Sequence, residues 1–205
     1  LLFLALPGSI ELNKVTFGNA KNNKLANKAS QNGGAIYNAG SLKVSASELS
    51  RNSADNNGGL IYADTNSETI LASENITYNT AKGNGGAVYT NGNLYLNRDA
   101  NEELSYTRDL IFSNNTALSG GAIYAAENAV VNAVYTEFVN NKATYGNGGA
   151  ISILNLSEDI ENVIAYSRFA NNTAVSKEES RGGAIYNISS DNLSISNSTF
   201  TSNKS

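Results

Sequence analysis

A short segment that begins with two glycines occurs six times in this chain of 205 residues, and it constrains the fold more than any other feature. The segment reads NGGAIYN from Asn32 to Asn38, and similar letters follow each later pair. The pairs are spaced 25 to 35 residues apart. They are Gly33 and Gly34, Gly58 and Gly59, Gly85 and Gly86, Gly120 and Gly121, Gly148 and Gly149, and Gly182 and Gly183. Such a period is typical of solenoids, in which each repeat packs only against its neighbours.

A second motif alternates with the first and consists of an apolar residue, two variable residues, Asn, one variable residue and Ala. Apolar pairs such as Leu42 and Val44 often stand seven and five residues before the apolar position of this motif. Because apolar residues at every second position indicate a strand with one buried face, each repeat is predicted to hold three short strands. The asparagines of the motif are Asn52, Asn79, Asn115, Asn141, Asn172 and, at the last copy, Asn203.

Three short strands in each repeat predict an all-β chain folded as a parallel β-helix of about seven coils. Equivalent strands of successive coils would pair about 4.8 Å apart, which buries apolar residues that one coil cannot bury alone. The opening letters fit as a degenerate first coil when Gly8 is aligned with Gly40, and this alignment sets Leu4 in the place of Ile36. We expect one domain over residues 1–205, as a piece of a longer surface protein.

Positions within the repeat receive separate structural roles. Ile36 and its equivalents are Ile or Val in all six copies, so we predict that they point into the core. The second glycine of each pair should lie at an inward corner where a side chain would collide, and glycine also adopts backbone angles closed to other residues. The recurring Asn is predicted at the next corner, in a left-handed conformation or bonded to its neighbours as a ladder.

The alternation of GGAIY and FxxNxA segments resembles the GGAI and FxxN repeats of the polymorphic outer-membrane proteins and of related adhesin-like surface proteins. The resemblance extends over nearly the whole chain. It implies a right-handed β-helical passenger domain that is exposed at a cell surface or secreted and is used in adhesion. Two departures are Ala20, where Phe17 should be followed by Asn, and Leu49, which replaces Phe.

Several kinds of chemistry are disfavoured by composition. The chain contains no His and no Cys, which removes the commonest general base, the commonest metal ligand and any disulfide. A net charge of −4 without a basic run disfavours nucleic-acid binding, and no apolar stretch is long enough to span a bilayer. The glycine pairs lack the Lys and Ser or Thr of a phosphate-binding loop. We therefore expect no catalytic residue, no cofactor and no metal.

An enzyme that acts on polysaccharides stays an alternative, because β-helices also carry such activity. Its carboxylates would have to lie on neighbouring coils. The position before each Phe places two glutamates three coils apart, since it reads Glu48, Asn75, Ile111, Glu137, Arg168 and Thr199. The one local acidic cluster is in the predicted corner loop 97–109, and its charged residues are Arg98, Glu102, Glu103, Arg108 and Asp109. Further corner loops are predicted at 22–31 and 175–181.

The tyrosine of the repeat is the candidate for binding. If the Ile points inward, the following Tyr points outward and forms a stripe on the surface. The stripe could stabilise the sheet by cross-strand packing, or it could bind a host-cell or matrix protein or a glycan. Its members are Tyr37, Tyr62, Tyr89, Tyr124 and Tyr186, and the fifth of the six copies has Ser152 instead. Unpaired strand edges at solenoid ends also make a self-assembling fibre subunit an alternative.

Overall fold

The computed structural model describes residues 3–5, 8–18, 26–45, 47–72, 74–97, 110–155, 161–176, 179–188 and 193–205. Every regular element in these ranges is a β-strand, and all strand pairs are parallel and in register. The fold is a right-handed parallel β-helix of about seven coils, which confirms the predicted fold class. No helix capable of crossing a membrane occurs in the described ranges.

Three sheets of seven strands run the length of the solenoid. The Gly-Gly sheet consists of Phe3–Ala5, Ile36–Asn38, Ile61–Ala63, Val88–Thr90, Ile123–Ala125, Ile151–Ile153 and Ile185–Asn187. The second sheet consists of Ser9–Asn13, Ser41–Ser45, Glu68–Ala72, Asn93–Leu96, Val130–Val134, Asn162–Ala165 and Leu193–Ser196. The Phe sheet consists of Thr16–Phe17, Glu48–Ser50, Asn75–Thr77, Leu110–Ser113, Thr136–Val139, Arg168–Ala170 and Thr199–Thr201.

A fourth sheet of two-residue strands was not anticipated from the sequence. The residue before each recurring Asn adopts a left-handed conformation, with φ of 57° at both Arg51 and Tyr78. This conformation ends the Phe strand and turns the chain, so the Asn-x-Ala segment starts a strand of its own. The prediction that the Asn itself is left-handed is wrong. The short strands are Lys28–Ala29, Ser53–Ala54, Thr80–Ala81, Thr116–Ala117, Lys142–Ala143 and Thr173–Ala174.

The core consists of columns of equivalent side chains that stack from coil to coil. Ile36, Ile61, Val88, Ile123 and Ile151 are at most 1% exposed, which confirms their predicted inward direction. A second column comes from the Phe sheet, in which Phe112, Phe138 and Phe169 are fully buried. The alternating apolar pairs of the second sheet close the core, with Leu42 and Val44 paired to Thr69 and Leu71.

The two glycines of each pair meet different constraints. Gly58 has φ of 65°, in the left-handed region that side chains with a Cβ rarely adopt. Gly59 faces the next coil so closely that a Cβ atom would lie 2.1 Å from the carbonyl oxygen of Gly86. Both positions therefore exclude larger residues, and the spacing between coils depends on them.

The opening segment joins the solenoid as the first coil, with one correction to the predicted register. Ile10 pairs with Leu42 as the alignment of the glycines predicted. However, Phe3 pairs with Ile36, and Leu4 pairs with Tyr37. The predicted match of Leu4 with Ile36 is wrong because four steps separate Ala5 from Ser9, whereas three steps separate their partners Asn38 and Ser41.

Candidate functional site

Four of the repeat tyrosines form a continuous stack on the outside of the Gly-Gly sheet. Their ring centroids are 5.1 Å apart between Tyr37 and Tyr62, 5.0 Å between Tyr62 and Tyr89, and 5.4 Å between Tyr89 and Tyr124. This spacing follows the separation of neighbouring strands, which backbone pairing fixes whether or not tyrosines are present. We call these four residues the tyrosine stripe. All four are half-buried.

The stripe presents ring edges and hydroxyl groups rather than ring faces. Neighbouring rings are nearly parallel, with interplanar angles of 5° and 11° on the two sides of Tyr89. Each face of Tyr62 and of Tyr89 is therefore covered by another tyrosine. A flat sugar ring that needs an aromatic face would find none in the middle of the stripe, whereas a hydrogen-bonding partner would meet a row of phenols.

Carboxylates adjoin the hydroxyl side of the stripe. The Tyr37 hydroxyl donates a hydrogen bond of 2.6 Å to Oδ2 of Asp64, and this bond together with partial burial raises the pKa of Tyr37 to about 12. Burial, the neighbouring tyrosines and the charge of Glu127 raise the pKa of Tyr89 to about 12. The phenols are therefore neutral donors at physiological pH, beside a negative edge made by Asp64 and Glu127.

The stripe is interrupted at the sixth coil. Ser152 pairs with Tyr124 on one side and with Tyr186 on the other, so the fifth predicted member is two strands away from the nearest ring. Ser152 is only 3% exposed. Tyr186 shares the outward direction of the stripe without its continuous stacking, and its use in binding stays a prediction.

The recurring asparagines of the second motif form a buried ladder along the axis, which we call the inner asparagine column. In Asn79, Nδ2 donates to Oδ1 of Asn115 at 3.1 Å and to the Leu49 carbonyl at 3.0 Å. The Asn79 backbone N–H also donates to the same Oδ1 of Asn115. The pattern repeats through Asn52, Asn79, Asn115, Asn141, Asn172 and Asn203. The amides of these residues are hydrogen-bonded to one another and to backbone carbonyls at a corner of the core, so they are not available to a binding partner.

A second ladder lies at the residue before each glycine pair, and the sequence reasoning missed it. The backbone N–H of Asn57 donates to Oδ1 of Asn32 at 3.1 Å, and that of Asn84 donates to Oδ1 of Asn57 at 2.8 Å. The recurring N of NGG was the available signal. We call this set the outer column, and its members are Asn32, Asn57, Asn84, Ser119, Asn147 and Arg181.

The model of the Chlamydia polymorphic membrane protein repeat matches four segments of the chain, residues 75–91, 109–126, 135–153 and 167–188. Each match begins at or near a Phe-sheet strand, passes through the inner asparagine column and ends at or just after the Gly-Gly strand. The chain carries polymorphic membrane protein repeats. This finding confirms the resemblance drawn from the paired motifs. No curated protein and no solved structure matches the chain significantly.

Other exposed aromatic side chains lie away from the stripe and were not singled out from the sequence. Tyr78, Tyr145 and Tyr166 are 47%, 57% and 51% exposed. Tyr78 lies beneath the guanidinium of Arg51, 4.7 Å from its ring centroid, and Tyr166 stacks on Tyr135 at 4.9 Å. Tyr78, Tyr145 and Tyr166 occupy three different corners of the coil, and the stack of Tyr166 on the equivalent Tyr135 contains two rings, so they form no continuous stripe.

The carboxylates that an enzyme would need do not converge in the described ranges. Glu137 pairs with Arg168 across neighbouring coils, with Oε2 and Nη1 3.1 Å apart, while Glu48 lies three coils away. No group of three acidic, His or Cys side chains in the described part of these repeats could hold a metal ion. The predicted acidic cluster at Arg98, Glu102, Glu103, Arg108 and Asp109 lies outside the described residues.

One cleft of about 390 Å³ opens beside the first tyrosine of the stripe. It is lined by residues 28–32, Gly34 and Tyr37. Residues 28–31 fall in the segment 22–31 that the sequence predicted as a corner loop, but this prediction is wrong for Lys28–Ala29, which forms the first strand of the fourth sheet. Lys28 is engaged at 3.6 Å with Asp55, which also pairs with Lys82 at 2.8 Å. The cleft therefore adds a polar, mixed-charge border to the stripe.

Proposed function

We propose that the chain is a non-catalytic, cell-surface or secreted protein that acts in adhesion, as the passenger part of a longer surface protein. The polymorphic membrane protein repeats support a surface location. The tyrosine stripe is the observation that carries the adhesive role. Its four side chains lie half-buried in a regular row on the outer side of the sheet, and Ser152 at the equivalent position shows that the β-helix does not require a tyrosine there.

The geometry favours a partner that presents hydrogen-bonding and cationic groups. Stacked phenols offer edges and hydroxyls every 5.0 to 5.4 Å, and Asp64 and Glu127 add negative charge beside them. A host-cell or matrix protein with an extended, basic segment meets these groups better than a glycan that needs exposed aromatic faces. Salt should weaken such binding, because the charged part of the contact is at the surface.

The test is the double variant Tyr62→Ser with Tyr89→Ser, measured for binding of the purified chain to cells and to extracellular-matrix proteins. Loss of binding with the β-helix still folded by circular dichroism is the expected result. A matched control replaces Tyr145 and Tyr166 by Ser, because these tyrosines are more exposed but lie away from the stripe. If the double variant binds as the parent chain does but melts at a lower temperature, the tyrosine stripe stabilises the sheet and does not bind a partner.

The non-catalytic part of the proposal has its own test. The purified chain is incubated with polysaccharides of plant, bacterial and animal origin, and new reducing ends or unsaturated sugars are measured. We expect none. Turnover that survives repurification would establish the polysaccharide-active alternative instead.

End-to-end association stays a separate proposal. Equivalent strands pair in register from coil to coil in each sheet, and a second copy that stacked on the solenoid would continue the same pairing. Light scattering after size-exclusion chromatography, over a range of concentrations, would reveal growth. A strictly monomeric parent chain contradicts the proposal.

A further inference from the structure

The repeat places a chemically labile dipeptide in coil after coil. Asn followed by Gly is the sequence most prone to deamidation, because the Gly nitrogen can attack the Asn side chain without hindrance from a Cβ. The chain contains five such pairs, and four of them begin glycine-pair segments. These four are Asn32–Gly33, Asn57–Gly58, Asn84–Gly85 and Asn147–Gly148. The fifth, Asn91–Gly92, lies between the Gly-Gly sheet and the second sheet.

The four repeat pairs are held by backbone contacts to the next coil. The N–H of Gly33 donates to the Asn57 carbonyl at 3.0 Å, and the N–H of Gly58 donates to the Asn84 carbonyl at 3.0 Å. Gly85 and Gly148 make the same bond to the carbonyls of Ser119 and Arg181. The nitrogen that would have to lose its proton and attack is thus committed to a bond between coils, which opens only with local unfolding.

The side chains of three of the four repeat pairs are restrained as well. Oδ1 of Asn32, Asn57 and Asn147 each accepts a backbone N–H from the next coil, at 3.1, 2.8 and 2.9 Å. These bonds fix the carboxamide in the outer column. Deamidation would require the Asn carboxamide to rotate out of the outer column toward the backbone nitrogen of the following Gly. The hydrogen bonds of the outer column therefore protect its own asparagines.

Asn91 lacks this protection. The N–H of Gly92 is held by the side-chain hydroxyl of Thr90 at 3.2 Å and not by a neighbouring coil. The Asn91 carboxamide is bonded at the surface, where Nδ2 donates to the Thr65 hydroxyl at 2.6 Å. The two reacting groups are therefore held by side-chain hydroxyls, one of which is exposed, whereas the flanking N–H groups of Asn91 and Asn93 donate to Ala63 and Ser67 of the neighbouring coil.

We propose that Asn91 is a site of spontaneous deamidation in the folded chain and that the four repeat Asn-Gly pairs are protected. The Gly92 nitrogen attacks Cγ of Asn91, the N–Cγ bond forms, the Cγ–Nδ2 bond breaks, and ammonia leaves with the proton from Gly92. Water then opens the succinimide to Asp or isoaspartate. The product adds a negative charge to a turn in the same coil as Tyr89, near the edge marked by Asp64 and Glu127.

The test follows all five dipeptides by peptide mapping and mass spectrometry while the folded chain is kept at mildly alkaline pH and 37 °C. We expect Asn91 to gain one mass unit and isoaspartate at least about tenfold faster than any repeat Asn, because the repeat sites react only after local opening. In concentrated guanidinium chloride the five rates should converge. Equal rates in the folded chain, or a repeat Asn that reacts first, would overturn the proposal.

Two variants sharpen the test. Thr90→Val removes the hydroxyl that holds the Gly92 nitrogen and should accelerate reaction at Asn91 alone, with circular dichroism unchanged. If that variant instead loosens the fold, all five rates should rise together, and the guanidinium comparison identifies this outcome. Asn91→Gln should abolish the fast mass gain, and persistence of the gain would place the labile site elsewhere.

Discussion

Two aromatic columns run along this solenoid, one inside the core and one outside. The phenylalanine column, Phe112, Phe138, Phe169 and Phe200, has centroid spacings of 5.2, 4.7 and 4.7 Å. The tyrosine stripe has spacings of 5.1, 5.0 and 5.4 Å. The strand separation sets both, so stacking by itself does not reveal a function. Burial separates the columns, because the first three phenylalanines are fully buried whereas the tyrosines are half-buried.

The asparagine columns repeat this contrast. The inner column consists of Asn in each of its six members, and its amides bond both to each other and to buried carbonyls. The outer column accepts Ser119 and Arg181, and its side chains serve mainly as acceptors for one backbone N–H. The inner columns should therefore respond strongly to substitution and the outer columns weakly.

The largest effect is expected for Phe138→Ala. Phe138 is fully buried and stacks on Phe112 and on Phe169, so its truncation should lower the free energy of unfolding by about 3–5 kcal/mol. Denaturation with urea, followed by circular dichroism, measures the loss. Tyr89→Ala is the outer counterpart and should cost about 1 kcal/mol. Equal losses for the two variants would contradict the contrast between the columns.

A second control uses the repeat itself. Leu49 occupies the position of Phe138 in the second coil, so Phe138→Leu keeps a residue that the fold already accepts there. The expected loss is below about 1.5 kcal/mol because most of the apolar volume is retained. A loss as large as that of the alanine variant would mean that ring stacking, and not volume, dominates the column.

The next largest effect is expected for Asn115→Ala in the inner column. Oδ1 of Asn115 accepts from both nitrogens of Asn79, and its Nδ2 donates to the Ile76 carbonyl and to Oδ1 of Asn141. The truncation leaves these buried groups without partners, which should cost about 2–4 kcal/mol. Asn115→Asp is informative as well, because it keeps the acceptor and loses the donor. Urea midpoints that match the parent chain would contradict the structural role of the ladder.

The sequence predicted what depends on residue type and missed what depends on backbone shape. Alternation located Ile36 in the core and the tyrosines outside. The left-handed corner before each inner Asn was missed because Arg51, Tyr78 and Ser202 occupy it in three coils, although Asn, which tolerates this conformation, occupies it in the other three. The register of the opening strand was wrong by one residue because a turn length cannot be read from an alignment of glycines. Neither the alternation of apolar residues nor the backbone corners determine whether the stripe binds a partner, because both are set by the packing of the coil itself.

Glu74 is a buried acid that composition would assign to the surface. It occupies the corner position at which Ser47 and Ser167 each donate to a backbone carbonyl, yet it is only 2% exposed. Within the described part of the chain, neither carboxylate oxygen makes a hydrogen bond of standard geometry, and the approach to the Ala72 backbone compensates for burial only in part. Burial raises the pKa of Glu74 well above its ordinary value of 4.5, and the Ala72 backbone opposes this shift only in part.

Glu74→Ser should stabilise the chain by about 1–3 kcal/mol at neutral pH, because it removes a desolvated acid and restores the corner hydroxyl. A carboxyl with a raised folded pKa binds its proton more tightly when folded. The contribution of this carboxyl to folding stability is therefore complete below the pKa that Glu74 has in the unfolded chain. It is lost as the pH rises through the pKa that Glu74 has in the folded chain. Thermal melts from pH 4 upward should show a stability gap between variant and parent that widens with pH. A constant gap would contradict the buried-acid account.

The smallest effect is expected for Asn84→Ser in the outer column. Ser119 stands at the equivalent position one coil later, where its hydroxyl accepts the Asn147 backbone N–H at 3.2 Å, so the coil geometry already accommodates a hydroxyl. The bond between coils at this corner, from the Gly85 N–H to the Ser119 carbonyl, uses only backbone atoms and survives the substitution. The expected change in the free energy of unfolding is within about 0.5 kcal/mol.

The matched inner variant Asn79→Ser should lower the free energy of unfolding several times more in the same melts. It replaces by a shorter hydroxyl an amide that bonds to the Leu49 carbonyl and to Oδ1 of Asn115. If the two serine variants melt together, the outer column is as essential as the inner one, and the tolerance inferred from Ser119 and Arg181 is wrong.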